Sequence, residues 1–85
     1  MVEIQYVITD ELGLHARPAG RLVKKASEFE SAVQIGTPEK MVDAKRIIGV
    51  MGLALKTGDT LTMTFDGADD AEAAKALETF LKETL

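Results

Sequence analysis

Apolar residues recur at every second position from Val2 to Ile8 and at helical spacing from Ala16 to Ala26, with the change of period across Asp10-Glu11-Leu12-Gly13. Val2, Ile4, Tyr6 and Ile8 share one side against Glu3, Gln5 and Val7, which predicts a strand over 2–8 with one buried face. Ala19, Leu22, Val23 and Ala26 form one stripe of a helix over 16–26. Pro18 belongs in its first turn, where a missing N–H costs nothing, so the helix begins near His15-Ala16. Short strands over 32–36 and 40–44 follow, joined by a turn at Gly36-Thr37-Pro38-Glu39. Arg46 to Leu53 allows only a brief helix between glycines, and Leu61 to Phe65 alternates as a strand after the Lys56-Thr57-Gly58-Asp59 turn. Asp69 with Glu72 three positions on reads as a loose capping box opening a last helix. Ala73, Ala74, Leu77, Phe80 and Leu81 are its inner face. The order is β-α-β-β-α-β-α, for which a four-stranded antiparallel sheet with three helices on one face is the economical α+β arrangement.

At 85 residues the chain is read as one domain, 1–85, with a modest core, too small to enclose most metabolites and better suited to presenting a surface to a partner. There is no cysteine for a disulfide or thiolate site, and one histidine leaves no donor set for a histidine-based zinc site. No cofactor is called for. The segment Met1-Val2-Glu3-Ile4-Gln5 lacks a basic start and an apolar run, so the expected location is the cytoplasm. A net charge of −4 argues against binding to nucleic-acid backbones. The charge is unevenly spread, however. Arg17, Arg21, Lys24 and Lys25 occur without an acid between Leu12 and Ser27, a patch that fits an acidic partner or an anion.

His15 falls where the first helix begins. Helix-terminal N–H groups lack internal acceptors and the dipole is positive there, which favours a neutral, nucleophilic imidazole over its cation. A phosphoryl group accepted by a ring nitrogen would lie against the same N–H groups, those of the Ala16-Arg17-Pro18 turn. Arg17 can add a charge-assisted hydrogen bond. A histidine at a helix start is commonly just a surface residue. The combination of one nucleophile, one anion partner and a defined helix start within Gly13-Leu14-His15-Ala16-Arg17-Pro18 puts phosphoryl or anion handling level with that reading.

These residues resemble the HPr family, the histidine-containing phosphocarriers of the bacterial phosphoenolpyruvate:sugar phosphotransferase system. Gly13 to Ala19 is similar to the family's active-site signature. Ala44-Lys45 leading into Ile47-Ile48-Gly49-Val50-Met51 resembles its second segment, and Phe65 to Ala71 its entry to the last helix. The resemblance covers essentially the whole chain and implies an open-faced sandwich. It also implies that phospho-enzyme I phosphorylates His15 on Nδ1, that Arg17 assists, and that IIA domains of sugar permeases receive the group. Such a protein is a transfer partner with a phosphohistidine intermediate rather than a stand-alone enzyme. It is expected to be a monomer, peripheral to the membrane only through permease complexes.

Ile47, Ile48, Val50, Met51 and Leu53 surround too much of a short helix for one core stripe. Either all five are core, or Val50 and Leu53 face inward while Ile47, Ile48 and Met51 form an exposed docking patch. The resemblance favours the second, with Gly20, Arg21 and Lys24 as the polar part of the same surface. Gly20 lowers helix propensity by about 1 kcal/mol but permits close approach of a partner backbone. Many Gram-positive members carry a regulatory serine where this chain has Arg46, so no ATP-dependent phosphorylation is expected at that position. Two rivals remain. One is an HPr-like regulatory module, for example of a nitrogen branch, that works through binding. The other is an RNA-binding sheet, disfavoured because Tyr6, Phe29, Phe65 and Phe80 fall mostly at apolar-face positions.

Overall fold

In the computed structural model, which describes residues 1–85, seven elements follow in the expected order. Strand β1 is Val2–Val7, helix α1 Ala16–Ala26, β2 Ala32–Thr37, β3 Lys40–Asp43, α2 Ile47–Met51, β4 Thr60–Asp66 and α3 Asp70–Thr84. The sheet order is β1-β4-β2-β3, with every neighbouring pair antiparallel. Register puts Ile4 opposite Met63, Met63 opposite Ile35, and Ile35 opposite Val42, so one apolar row crosses all four strands. Val2, Phe65 and Val33 form a parallel row on the same face. The intervening positions, among them Glu3, Gln5, Thr64 and Gln34, make the open face.

Helices close the apolar side. Pro18, Ala19, Leu22 and Ala26 of α1 and Ala73, Ala74, Leu77 and Leu81 of α3 are buried. They join Ile8, Phe65, Leu61 and Met63 in one core, where each large side chain contributes about 1.5–3 kcal/mol by leaving water. Val23 and Phe80, expected on inner faces, are only half-buried at the margin. β1 is an edge strand, and its inward residues Val2, Ile4 and Tyr6 are likewise half-buried, whereas central β4 is buried even at Thr62 on the open face. No helix is long and apolar enough to cross a membrane.

Two local expectations need correction. The β2–β3 turn is only Pro38-Glu39, because Gly36 is paired with both Met41 and Thr62 inside the sheet. A Cβ on Gly36 would come within 2.0 Å of the Lys40 carbonyl oxygen, so it is close strand approach, not the turn, that needs glycine there. Asp69 precedes α3 but its side chain makes no capping bond. Its carboxylate instead accepts the Glu30 N–H and the Ser31 N–H, each at 2.9 Å, and the Ser31 hydroxyl. Three donors on the α1–β2 loop outcompete a single helix-end N–H.

Candidate phosphoryl site

The loop before α1 is built from bonds to distant backbone. Ile8 donates its N–H to Asp59 (3.0 Å) and accepts from Gly58 (2.8 Å). The N–H groups of Thr9 and Asp10 both reach the Leu85 carbonyl, at 2.6 and 2.8 Å, joined by the Thr9 hydroxyl at 2.8 Å. The Thr57 hydroxyl donates to the Asp10 carbonyl. Asp10 Oδ1 then accepts the Leu12 N–H at 2.8 Å, and the Asp10 carbonyl accepts Gly13 N–H at 3.0 Å, making a tight turn. Gly13 has φ +66°, and Leu14 is buried with its N–H on the Leu55 carbonyl at 3.0 Å.

This turn delivers His15 to the N-cap of α1 in an extended conformation, φ −96° and ψ −174°. Its carbonyl accepts the Ala19 N–H at 3.0 Å, while its half-buried side chain makes no capping bond. The N–H groups of Ala16 and Arg17 have no acceptor within the protein, and Pro18 has no N–H to offer. Two donors without a partner therefore lie at the positive end of an eleven-residue helix, in the two residues that follow His15. His15, Arg17, Pro18 and Arg21 share one shallow depression of about 290 Å³ with Asp10, Leu12 and Thr84. Arg17, Arg21 and Lys24 are exposed and take part in no ion pair.

On α2, Val50 is fully buried and Leu53 packs at the core margin, while Ile47, Ile48 and Met51 are 37%, 86% and 45% exposed. The split expected of that segment is the one observed. Ile47 and Ile48 line a groove of about 690 Å³ with Val23 of α1, Val42, Lys45 and Arg46, so the apolar patch is continuous with the first helix. Arg46 is the N-cap of α2 and solvent-exposed, its Nε 3.8 Å from Asp43 Oδ2, a loose pair of about 0–1 kcal/mol. Lys45 ties this turn down by donating from Nζ to the Phe29 carbonyl at 2.7 Å.

Thus His15, Arg17 and Arg21 come together, as do Ile47 and Ile48, whereas Gly20, Lys24 and Met51 lie on exposed helix surface outside both cavities. Sequence reasoning missed Asp10, Leu12 and Thr84 in the depression. Thr84 is 69 positions from His15 and carries no local signal, but an apolar Leu12 inside a turn was a visible anomaly.

The family model described as PTS HPr component phosphorylation site matches residues 2–83. The phosphocarrier protein HPr of Lysinibacillus sphaericus is 49% identical over 79 residues, which are 93% of this chain and 90% of that protein. The solved structure of the Mycoplasma histidine-containing phosphocarrier protein superposes with a TM-score of 0.93 at 41% identity, covering 98% of this chain and 94% of that one. A crystal structure of an HPr dimer from Thermoanaerobacter tengcongensis gives 0.77 at 37% identity, covering 98% and 95%.

Proposed function

The chain belongs to the HPr phosphocarrier family of the phosphotransferase system, and from that premise we infer that His15 is the atom-level carrier: it accepts a phosphoryl group from phospho-enzyme I and donates it to IIA domains of sugar permeases. The observation that supports this most is that the two residues after His15, Ala16 and Arg17, carry unpartnered N–H groups at the helix start, and that His15 shares its depression with Arg17 and Arg21. In the forward step the lone pair of a ring nitrogen, Nδ1 in this reading, attacks phosphorus. A nitrogen–phosphorus bond forms as the donor's bond to phosphorus breaks, and the donor atom keeps that electron pair. The reverse sequence of bond changes delivers the group to the acceptor.

The magnitudes suit a carrier. A helix terminus stabilises an exposed anion by about 0.3–1 kcal/mol, and a charged hydrogen bond adds about 1.5–3 kcal/mol. Their sum accommodates the phosphoryl charge without trapping it. Gly20, Arg21, Lys24, Ile47, Ile48 and Met51 supply the docking surface in this reading, where a cationic rim speeds encounter with acidic partners and apolar side chains hold the complex. The chain acts as one unit and as a monomer with transient partners in the cytoplasm, reaching the membrane only through permease complexes.

Incubation with phosphoenolpyruvate and enzyme I, followed by intact-mass measurement, tests the reading. One phosphoryl group is expected on the wild type and none on His15→Ala. Arg17→Ala is expected to slow transfer roughly 10-fold or more while leaving the urea midpoint nearly unchanged, as loss of one charged hydrogen bond predicts. A phosphoryl group retained by His15→Ala would place the acceptor elsewhere, and binding of partners without any mass gain would favour a purely regulatory module.

A further inference from the structure

Leu12 is 72% exposed, yet the backbone that carries it is held on every side. Its own N–H is bound by Asp10 Oδ1 at 2.8 Å and the Gly13 N–H by the Asp10 carbonyl at 3.0 Å. Asp10 is itself bound through its N–H to Leu85 at 2.8 Å and through its carbonyl to the Thr57 hydroxyl. A leucine on a loose loop would drift through solvent. Here the turn presents it at a set place, the rim of the depression that contains His15, Arg17 and Arg21.

Leu12 is the one large aliphatic side chain among the residues lining that depression. A protein that brings a phosphorus atom to the His15 ring enters the depression that Leu12 also lines, which puts this side chain within reach of its surface. Because the turn fixes the backbone that carries Leu12, little backbone freedom is lost when a partner buries this side chain, and the burial of its apolar surface favours the complex. Its surroundings set the sign of the partner. The Asp10 carboxylate in the depression turns Oδ1 to the Leu12 N–H and Glu11 is exposed beside it, while on the α1 side the guanidinium groups of Arg17 and Arg21 are both unpaired and open to acidic side chains. The depression shares no residue with the groove beside Ile47 and Ile48, so Leu12 is a second apolar contact and not an extension of the first.

We propose that Leu12 is a docking anchor for the phosphoryl-donating protein, seated in an apolar pocket of that partner whose edge carries acidic side chains toward Arg17 and Arg21. The proposal rests on the carrier reading and adds to it a contact and a partner chemistry. The anchor touches the partner away from phosphorus, so it acts on complex formation and leaves the bond changes alone.

Steady-state phosphorylation of the full chain by enzyme I and phosphoenolpyruvate, with the chain as varied substrate, reads this directly. Leu12→Ser is expected to raise KM about 5- to 20-fold with kcat within about twofold, the size expected for one partly buried leucine. Leu12→Met, which keeps the apolar bulk, is expected to stay near the wild type. Urea midpoints of both variants are expected to match the wild type because the side chain is in solvent. A KM for Leu12→Ser within twofold of wild type, or a fall in kcat at constant KM, overturns the anchor while the carrier reading stands. A wild-type chain that takes no phosphoryl group overturns the carrier reading and the anchor with it.

Discussion

Gly13 links two loops that are far apart in sequence, and His15 depends on both. At φ +66° a side chain is already strained, and a Cβ there would lie 2.5 Å from the Leu55 carbonyl oxygen and 2.8 Å from the Lys56 Cα. The same Leu55 carbonyl accepts the Leu14 N–H, and the Gly13 carbonyl accepts the His15 N–H at 3.1 Å. Gly13→Ala must therefore push the 55–56 backbone away from the residues that place the imidazole. We expect a loss of about 1–3 kcal/mol in urea unfolding, the range for a forced backbone conformation, together with slower acceptance of phosphoryl groups. Native stability with native transfer rates would refute it. At this scale the place of His15 and Arg17 at the start of α1 was legible, because the signals of a helix start are local. What presses on Gly13 was not, since a turn glycine carries no mark of the backbone that approaches it from Leu55.

Among the elements, α1 was legible to its last residue. Proline in the first turn and a 3.6-residue stripe both act within the segment itself. The five-residue α2 is too short to hold together alone, and tertiary contacts decide it: Val50 in the core and Gly49 against Val42, with 3.5 Å from a notional Cβ to the Val42 Cβ. Periodicity could say that this segment had too many apolar faces, but not how they divide. The Gly20 position makes the element-scale test. It is exposed, and an added Cβ would meet no atom within 4 Å. Gly20→Ala should raise stability by about 1 kcal/mol through helix propensity alone. If the glycine serves close approach by a partner backbone, the same variant should raise KM for enzyme I. A stability gain with unchanged KM would leave Gly20 no docking role.

Across the whole molecule the most consequential feature that periodicity misassigned is the bond set of Asp69. A capping box is a local pattern, and Asp69 satisfies its sequence, but the fold brings Glu30 and Ser31 to the carboxylate from 39 and 38 positions away. The contact ties the α1–β2 loop to the start of α3 and so holds the two long helices in one frame over the sheet. It also leaves a titration signature. The Ser31 hydroxyl, then the backbone N–H of Glu30, holds the Asp69 carboxyl below its ordinary value of 3.8, outweighing the opposing effect of burial. A folded value below the unfolded one means the ionised group stabilises the fold above that ordinary value, and the contribution fades as pH falls through the depressed one. Asp69→Asn keeps the size but replaces one acceptor oxygen with a donor, so at least one of the three loop donors loses its partner. Urea midpoints followed from about pH 7 down to about pH 2 should show the variant weaker at neutral pH and the two curves converging on the acid side. Curves that run parallel through the acid limb would mean that Asp69 does not supply this pH dependence, and that the helices are held together by the apolar core alone.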